Sequence, residues 1–213
     1  ILFRLVGSEM CIRDSLRVNG VPIEAEKFDA ALRSVRQAAD QSPAVPLTFF
    51  EATYLAAMQC ASMENVEVLI LETGLGGRKD ATRSGPATVC LVTSLSAEHS
   101  DILGDTIPEI AKEKAAIARP GRPILVRNPS EKDVKQAIIE QVQNSGQTDL
   151  GEQQRPAEVE FISIPNKTSV REEARLLARA LLEKSGLPTS NLKTAFETVH
   201  WPARMQHLSL IHI

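Results

Sequence analysis

Two hydrophobic patterns alternate along this 213-residue chain and together predict its architecture. Short Val-, Ile- and Leu-rich runs at 66–71, 88–95 and 123–126 read as largely buried strands, the first broken only by Glu67. Residues 159–164 alternate apolar and polar and predict a fourth strand. Between them the spacing turns helical. Phe28, Ala31, Leu32, Val35, Ala38 and Ala39 share one face of a helix over 25–41, and further helices are predicted over 107–118, 131–144, 169–184 and 190–199. The stretch 48–63 opens on Thr48-Phe49-Phe50-Glu51, which fits a capping box, and its apolar character on all sides predicts burial against a sheet. Ser169 and Glu172 form a second such signature, with Gly186 as the helix stop. Asn19-Gly20 marks a hairpin within 16–23, 42–46 is a proline-punctuated break, and 145–157 reads as a polar surface loop. Strands alternating with helices predict an α/β fold with a mostly parallel, doubly wound sheet flanked by helices.

Composition narrows the function classes. A net charge of −3 and 4% aromatics supply neither a basic field nor a stacking platform for nucleic acid. No run approaches the roughly 20 apolar residues of a membrane span. Cys11, Cys60 and Cys90 form no CxxC pair; Cys60 and Cys90 lie in apolar surroundings and read as reduced core thiols, which points to a cytoplasmic setting.

The candidate chemistry gathers between 66 and 121. Glu72 ends the first buried run and leads into the glycine turn Gly74-Leu75-Gly76-Gly77; the second run leads to Glu98-His99. Open α/β sheets bind ligands at the carboxyl ends of their strands. A carboxylate and an imidazole there form a partial shell for a divalent cation, or an ordinary hydrogen-bonded pair of strand ends. The glycine turn lacks the third glycine of a dinucleotide fingerprint, and no G-x-x-x-x-G-K-[ST] phosphate loop occurs in the chain. By spacing alone, Lys114 reads as a solvated helix lysine, Glu51 as the capping partner of Thr48, and Arg204 as a surface arginine.

Taken together and in order, LTFFEAT, LETGLGGRKDAT, AEHSDILGDT, IAKEKAAI and WPARMQ resemble the folylpolyglutamate synthase/dihydrofolate synthase family of Mur-type ligases. The resemblance covers 16–121 and returns at 201–206. It implies part of a Mur-ligase central ATPase-type domain and an ATP-dependent ligase that joins L-glutamate to dihydropteroate or a reduced folate through an acyl phosphate. It further implies a cytoplasmic monomer, with ATP as co-substrate and Mg2+ as cofactor. Carried over by motif, Glu72 and His99 match the metal ligands. Lys114 matches a lysine that is carbamylated and so becomes an oxygen-bearing anion able to bind a second cation. Thr48, Phe49, Phe50 and Glu51, with Lys79, Asp80 and Ala81, match segments that contact the pterin; Arg204 matches an ATP contact.

Several positions depart from the family pattern. Glu98 stands for an aspartate, Arg83 for the asparagine of LDATN, and Glu173 for an asparagine that contacts ATP. Residues 1–15 and 208–213 resemble translated adapter sequence. The expected organisation is therefore a partial central domain over 16–199 and the start of a linker at 200–207, with the phosphate loop and a glutamate-binding domain outside the chain. A polypeptide so composed is expected to be inactive alone. Two other readings stand beside the ligase: a Mur-type ligase with a different carboxylate substrate, against which GLGGRKDAT and TFFE argue, and a non-catalytic paralogue serving as a binding or structural module.

Overall fold

Buried backbone polar groups must be paired, so each strand is only as long as its partner allows. The computed structural model describes residues 16–97, 99–146 and 154–199, together with the backbone of a short strand β1 (Leu2–Phe3). From there run β2 (Leu16–Val18), β3 (Val21–Pro22), α1 (Ala25–Ala39), α2 (Phe49–Met63), β4 (Ile70–Leu71) and a 3-10 turn (Ala81–Ser84). They continue as β5 (Cys90–Val92), α3 (Ser100–Leu103), α4 (Ile107–Ala115), β6 (Pro123–Arg127), α5 (Lys132–Gln143), β7 (Glu158–Ile162), α6 (Val170–Lys184) and α7 (Leu192–Thr198).

The described strands form two sheets. One has the order β3-β2-β1-β4 and the other β5-β6-β7. The second is wholly parallel, with Cys90 opposite Ile124, Val92 opposite Val126, and Pro123 through Arg127 opposite Glu158 through Ile162. Strand alternation sends Ile124 and Val126 to the face covered by α4 and α5, where they meet Ala111, Ala115, Val134, Ile138 and Val142. Helix α6 packs against β6 as well. This is the predicted parallel α/β layering. In the first sheet the Asn19-Gly20 hairpin forms as expected, both residues taking positive φ (52° and 81°). The terminal stretch 1–15 contributes β1, which lies between β2 and β4.

Three expectations need correction. The run 66–71 is not a buried strand: the strand is Ile70–Leu71, which pairs with β1, and Val68 and Ile70 remain 42% and 52% exposed. A strand is buried on both faces only with neighbours and helices around it, and among the described residues β4 has a partner on one side alone. The run 88–95 likewise shortens to Cys90–Val92, the three residues that β6 pairs. Finally, Ser169 caps α6 by accepting from the Glu172 amide at 3.2 Å, but Glu172 turns its carboxylate to Arg175 instead of closing a box.

The capping box at α2 is complete. Thr48 Oγ1 accepts from the Glu51 amide (3.3 Å), and Glu51 Oε2 accepts from the Thr48 amide (2.8 Å). Helix α2 buries Tyr54, Ala56, Ala57 and Cys60 in a cluster with Leu16, Ile23 and Phe28, while Leu55 and Met63 stay exposed, so it is buried on one side and not all round. The predicted loop 145–157 is anchored at its start: Ser145 is buried and its hydroxyl accepts from the Ala157 amide at 2.8 Å.

Removing the cap oxygen leaves the Glu51 amide without its acceptor at the start of α2. Thr48→Ala is expected to lower unfolding free energy by about 1 kcal/mol, read by denaturant titration. Burial raises the pKa of both Cys60 and Cys90. Since the thiolate is the reactive form, neither is expected to react with a thiol reagent at neutral pH until the protein is unfolded, which mass spectrometry of alkylated peptides would show.

Candidate functional site

The candidate site is built around the glycine turn that follows β4. Gly77 lies so close to the end of α4 that a Cβ atom would stand 2.7 Å from the carbonyl oxygens of both Glu113 and Lys114. Gly76 takes φ +67° and faces Leu103 of α3, and Gly74 faces the ring of Phe50 in α2. The turn is thus the point where four candidate segments meet: Thr48–Glu51 at the start of α2, Glu72 two residues before Gly74, α3 following His99, and the Lys114 turn of α4. At Gly77 a glycine is required because the neighbours are backbone, which cannot step aside.

The turn needs its amides satisfied, and Asp80 does this. Its Oδ2 accepts from the amides of Gly74 (2.8 Å) and Leu75 (3.3 Å), and its Oδ1 from the amide (3.0 Å) and hydroxyl (2.5 Å) of Thr82. Asp80 is 8% exposed. Three arginines tie the next residues to α4. Arg78 donates to Glu113 Oε1 (2.7 Å) and to Gln141 Oε1 on α5 (2.9 Å). Arg83 donates to the Ala116 carbonyl (2.9 Å), at the C-cap of α4. Arg119 donates to the carbonyls of Thr82 (2.8 Å), Gly85 (3.1 Å) and Ile117. Burial holds the Arg119 guanidinium below the ordinary arginine range, and nearby Arg83 pushes the same way. Neither Asp80's bonding nor Arg119's follows from spacing; Arg119 precedes Pro120-Gly121 and looks in sequence like an exposed cation after a helix stop.

The remaining candidates have separate settings. Glu72 is exposed, and His99 is exposed in the left-handed region (φ 56°, ψ 38°) at the N-cap of α3. Lys114 is half-buried, Lys79 exposed, and Phe49 60% exposed. No three His, Cys, Asp or Glu among the described residues are grouped to hold a metal ion. Glu72 carries a carboxylate, which suits a hard cation such as magnesium, and His99 an imidazole nitrogen, which suits transition metals better. Arg204 and Glu98 lie outside the described residues. Glu173 pairs with Arg127 at the end of β6 through two bonds of 2.7 and 3.2 Å. Arg127 also lines a cavity of about 430 Å³ at the carboxyl ends of β5 and β6, with Thr93, Leu95, Ile107, Ser130 and Asp133 among its walls.

Comparison with known proteins finds similarity to folate ligases. The dihydrofolate synthase/folylpolyglutamate synthase of Bacillus subtilis is 39% identical over 116 residues, which cover 53% of this chain and 27% of that protein. The Escherichia coli enzyme of the same name is 35% identical over 116 residues. This chain is a relative of the folylpolyglutamate and dihydrofolate synthases. Its fold is theirs as well: the E. coli FolC structure with DHPP and ADP superposes with a TM-score of 0.77 at 24% identity, covering 92% of this chain and 50% of that one. A further neighbour, at TM-score 0.75, is a bifunctional folylpolyglutamate synthase/dihydrofolate synthase with Mn, AMPPNP and L-glutamate bound. The chain spans about a quarter of the length of the Bacillus and E. coli relatives and half that of the FolC chain. No family profile matches it. No helix among the described residues is long and apolar enough to cross a membrane.

Two substitutions test the packing of the turn. Gly77→Ala forces a methyl against helix carbonyls and is expected to cost about 1–3 kcal/mol. Asp80→Ala leaves buried amides without their acceptor and is expected to cost about 2–4 kcal/mol. Both are read from denaturation midpoints.

Proposed function

We propose that the protein to which this chain belongs is an ATP-dependent carboxylate–amine ligase that adds L-glutamate to dihydropteroate or a reduced folate through an acyl phosphate. The observation that supports this reading is the packing of Phe50, Leu103 and the Glu113 and Lys114 carbonyls against one glycine turn, in a chain similar to enzymes of that name. Glu72 and His99 would hold a magnesium ion, and Lys114, as a carbamate, a second. Such ions neutralise charge on a transferring phosphoryl group. Thr48 through Glu51 and Lys79 through Ala81 would line the pterin, with Asp80 holding that segment in shape. Arg204 would contact ATP. The setting is cytoplasmic and the protein a monomer.

A non-catalytic paralogue is the second reading, and one observation favours it: Glu173, which stands where the family pattern has an ATP-contacting asparagine, is engaged by Arg127. A protein of that kind need show no magnesium-coupled affinity for nucleotide.

The test is ligation by the polypeptide encoded when the reading frame is extended on both sides of this chain. ADP release is expected only when a pterin or folate acid and L-glutamate are both present. Lys114→Ala is expected to lower kcat about a thousandfold, as loss of several kcal/mol of charge stabilisation would. The 213 residues alone, containing no G-x-x-x-x-G-K-[ST], are expected to turn over no ATP; turnover by them would overturn the division of the site proposed above.

A further inference from the structure

The arginines around the glycine turn span it from both sides. Arg83 reaches from the loop to the C-cap carbonyl of α4. Arg119 reaches back from beyond that helix to the loop carbonyls of Thr82 and Gly85. Arg119 also holds the Ile117 carbonyl in its own segment, which the Cys90 thiol shares at 3.4 Å. Among the described residues, no carboxylate forms an ion pair with Arg119. A half-buried guanidinium whose bonds all go to carbonyls is an expensive way to satisfy backbone, unless the fork itself sets the spacing of the segments it joins. An ammonium lacks the planar fork that reaches acceptors in several directions at once.

We infer that Arg119 is a positioning residue: it fixes the loop carrying Lys79, Asp80 and Ala81 at a set distance from the helix carrying Lys114. The inference rests on the ligase reading for its functional consequence, since that reading puts the pterin on the first segment and the carbamate on the second. It rests on the structure alone for its mechanical part. Asp80 shapes the loop internally through amides. Arg119 then docks the shaped loop through carbonyls, so the two groups act on opposite poles of the same backbone.

The experiment compares the full chain with R119M, R119K and R83M by amide hydrogen exchange and by titration with dihydropteroate. In R119M, the amides of Gly74, Leu75 and Thr82 are expected to exchange at least about tenfold faster while those of β6 and α5 hold their rates. R119K is expected to fall between R119M and the parent. If R119M does not fold, R83M, which removes a single part-buried bond, carries the test with an expected increase of about threefold at the same amides. Unchanged exchange, or an equal rise in β6 and α5, overturns the inference. Where the parent binds dihydropteroate, R119M is expected to bind about tenfold more weakly, R119K to recover part of the loss, and the magnesium dependence to stay the same. Equal binding by R119M despite faster exchange overturns the positioning role. If the parent binds no dihydropteroate, that failure counts against the ligase reading, and the exchange pattern alone decides the mechanical inference.

Discussion

A glycine turn pressed against the last carbonyls of a helix is the contact on which the rest of this structure depends. Gly77 leaves no room for a Cβ beside Glu113 and Lys114, so the loop after β4 and the helix before β6 are fixed to each other at van der Waals distance. Close approach of two backbones removes water from both, and each buried amide and carbonyl must then be satisfied from within. The chain answers with one buried anion and one half-buried cation. Asp80 collects amides, and Arg119 collects carbonyls. Neither residue is paired with the other; each is matched to the partial charge of the backbone it faces.

This contact works only because α4 is itself held rigidly. Its buried residues Ile110, Ala111 and Ala115 are fully enclosed, with Ala111 and Ala115 against Ile124 and Val126 of the parallel sheet. A complete capping box, Thr106 with Glu109, fixes its start. Lys114 therefore stands on an element whose two ends and inner face are all determined by packing. The opposite wall is looser: β4 is two residues long with an exposed Ile70, so Glu72 leaves the end of a short, one-sided strand. Of the two proposed sources of metal ligands, the sheet-backed helix is the better ordered.

Much of this was readable in the sequence, and what was not has a common cause. Most local signals held, the Ser169–Glu172 box excepted. Thr48 and Glu51 formed their box, Asn19-Gly20 its hairpin, and Gly186 ended α6 at φ 71°. Tertiary facts were not written in any window. The run 66–71 has the composition of a buried strand, but burial depends on which neighbours are present, and here the strand is Ile70–Leu71 with Ile70 exposed. Ordered motifs named Glu72, His99 and Lys114 as candidates for one site, yet Arg119 gained its role through a contact 37 residues away. Charged residues in loops read as solvated until a buried carbonyl is found at the end of the side chain.

The same point bears on the positions where this chain leaves the family pattern. Arg83 and Glu173 each put a full charge where the relatives' motif has a neutral asparagine, and either charge would weaken the ligase reading if it stood unpaired in the site. Neither does. Arg83 is spent on the C-cap carbonyl of α4, where the helix dipole favours a cation. Glu173 is spent on Arg127, whose bidentate bonds cancel its charge beside the cavity at the carboxyl ends of β5 and β6. Arg127 and Glu173 come from the end of a strand and the first turn of a helix, so the substituted carboxylate has its counter-charge close at hand. The Glu173–Arg127 ion pair leaves the local field at that edge near neutral. What changes is the hydrogen-bonding character of the edge: an amide that can donate and accept gives way to a salt bridge whose polar atoms are already engaged. Any nucleotide held there would have to be recognised through other groups, so the departures alter how that edge binds before they alter whether the site can work.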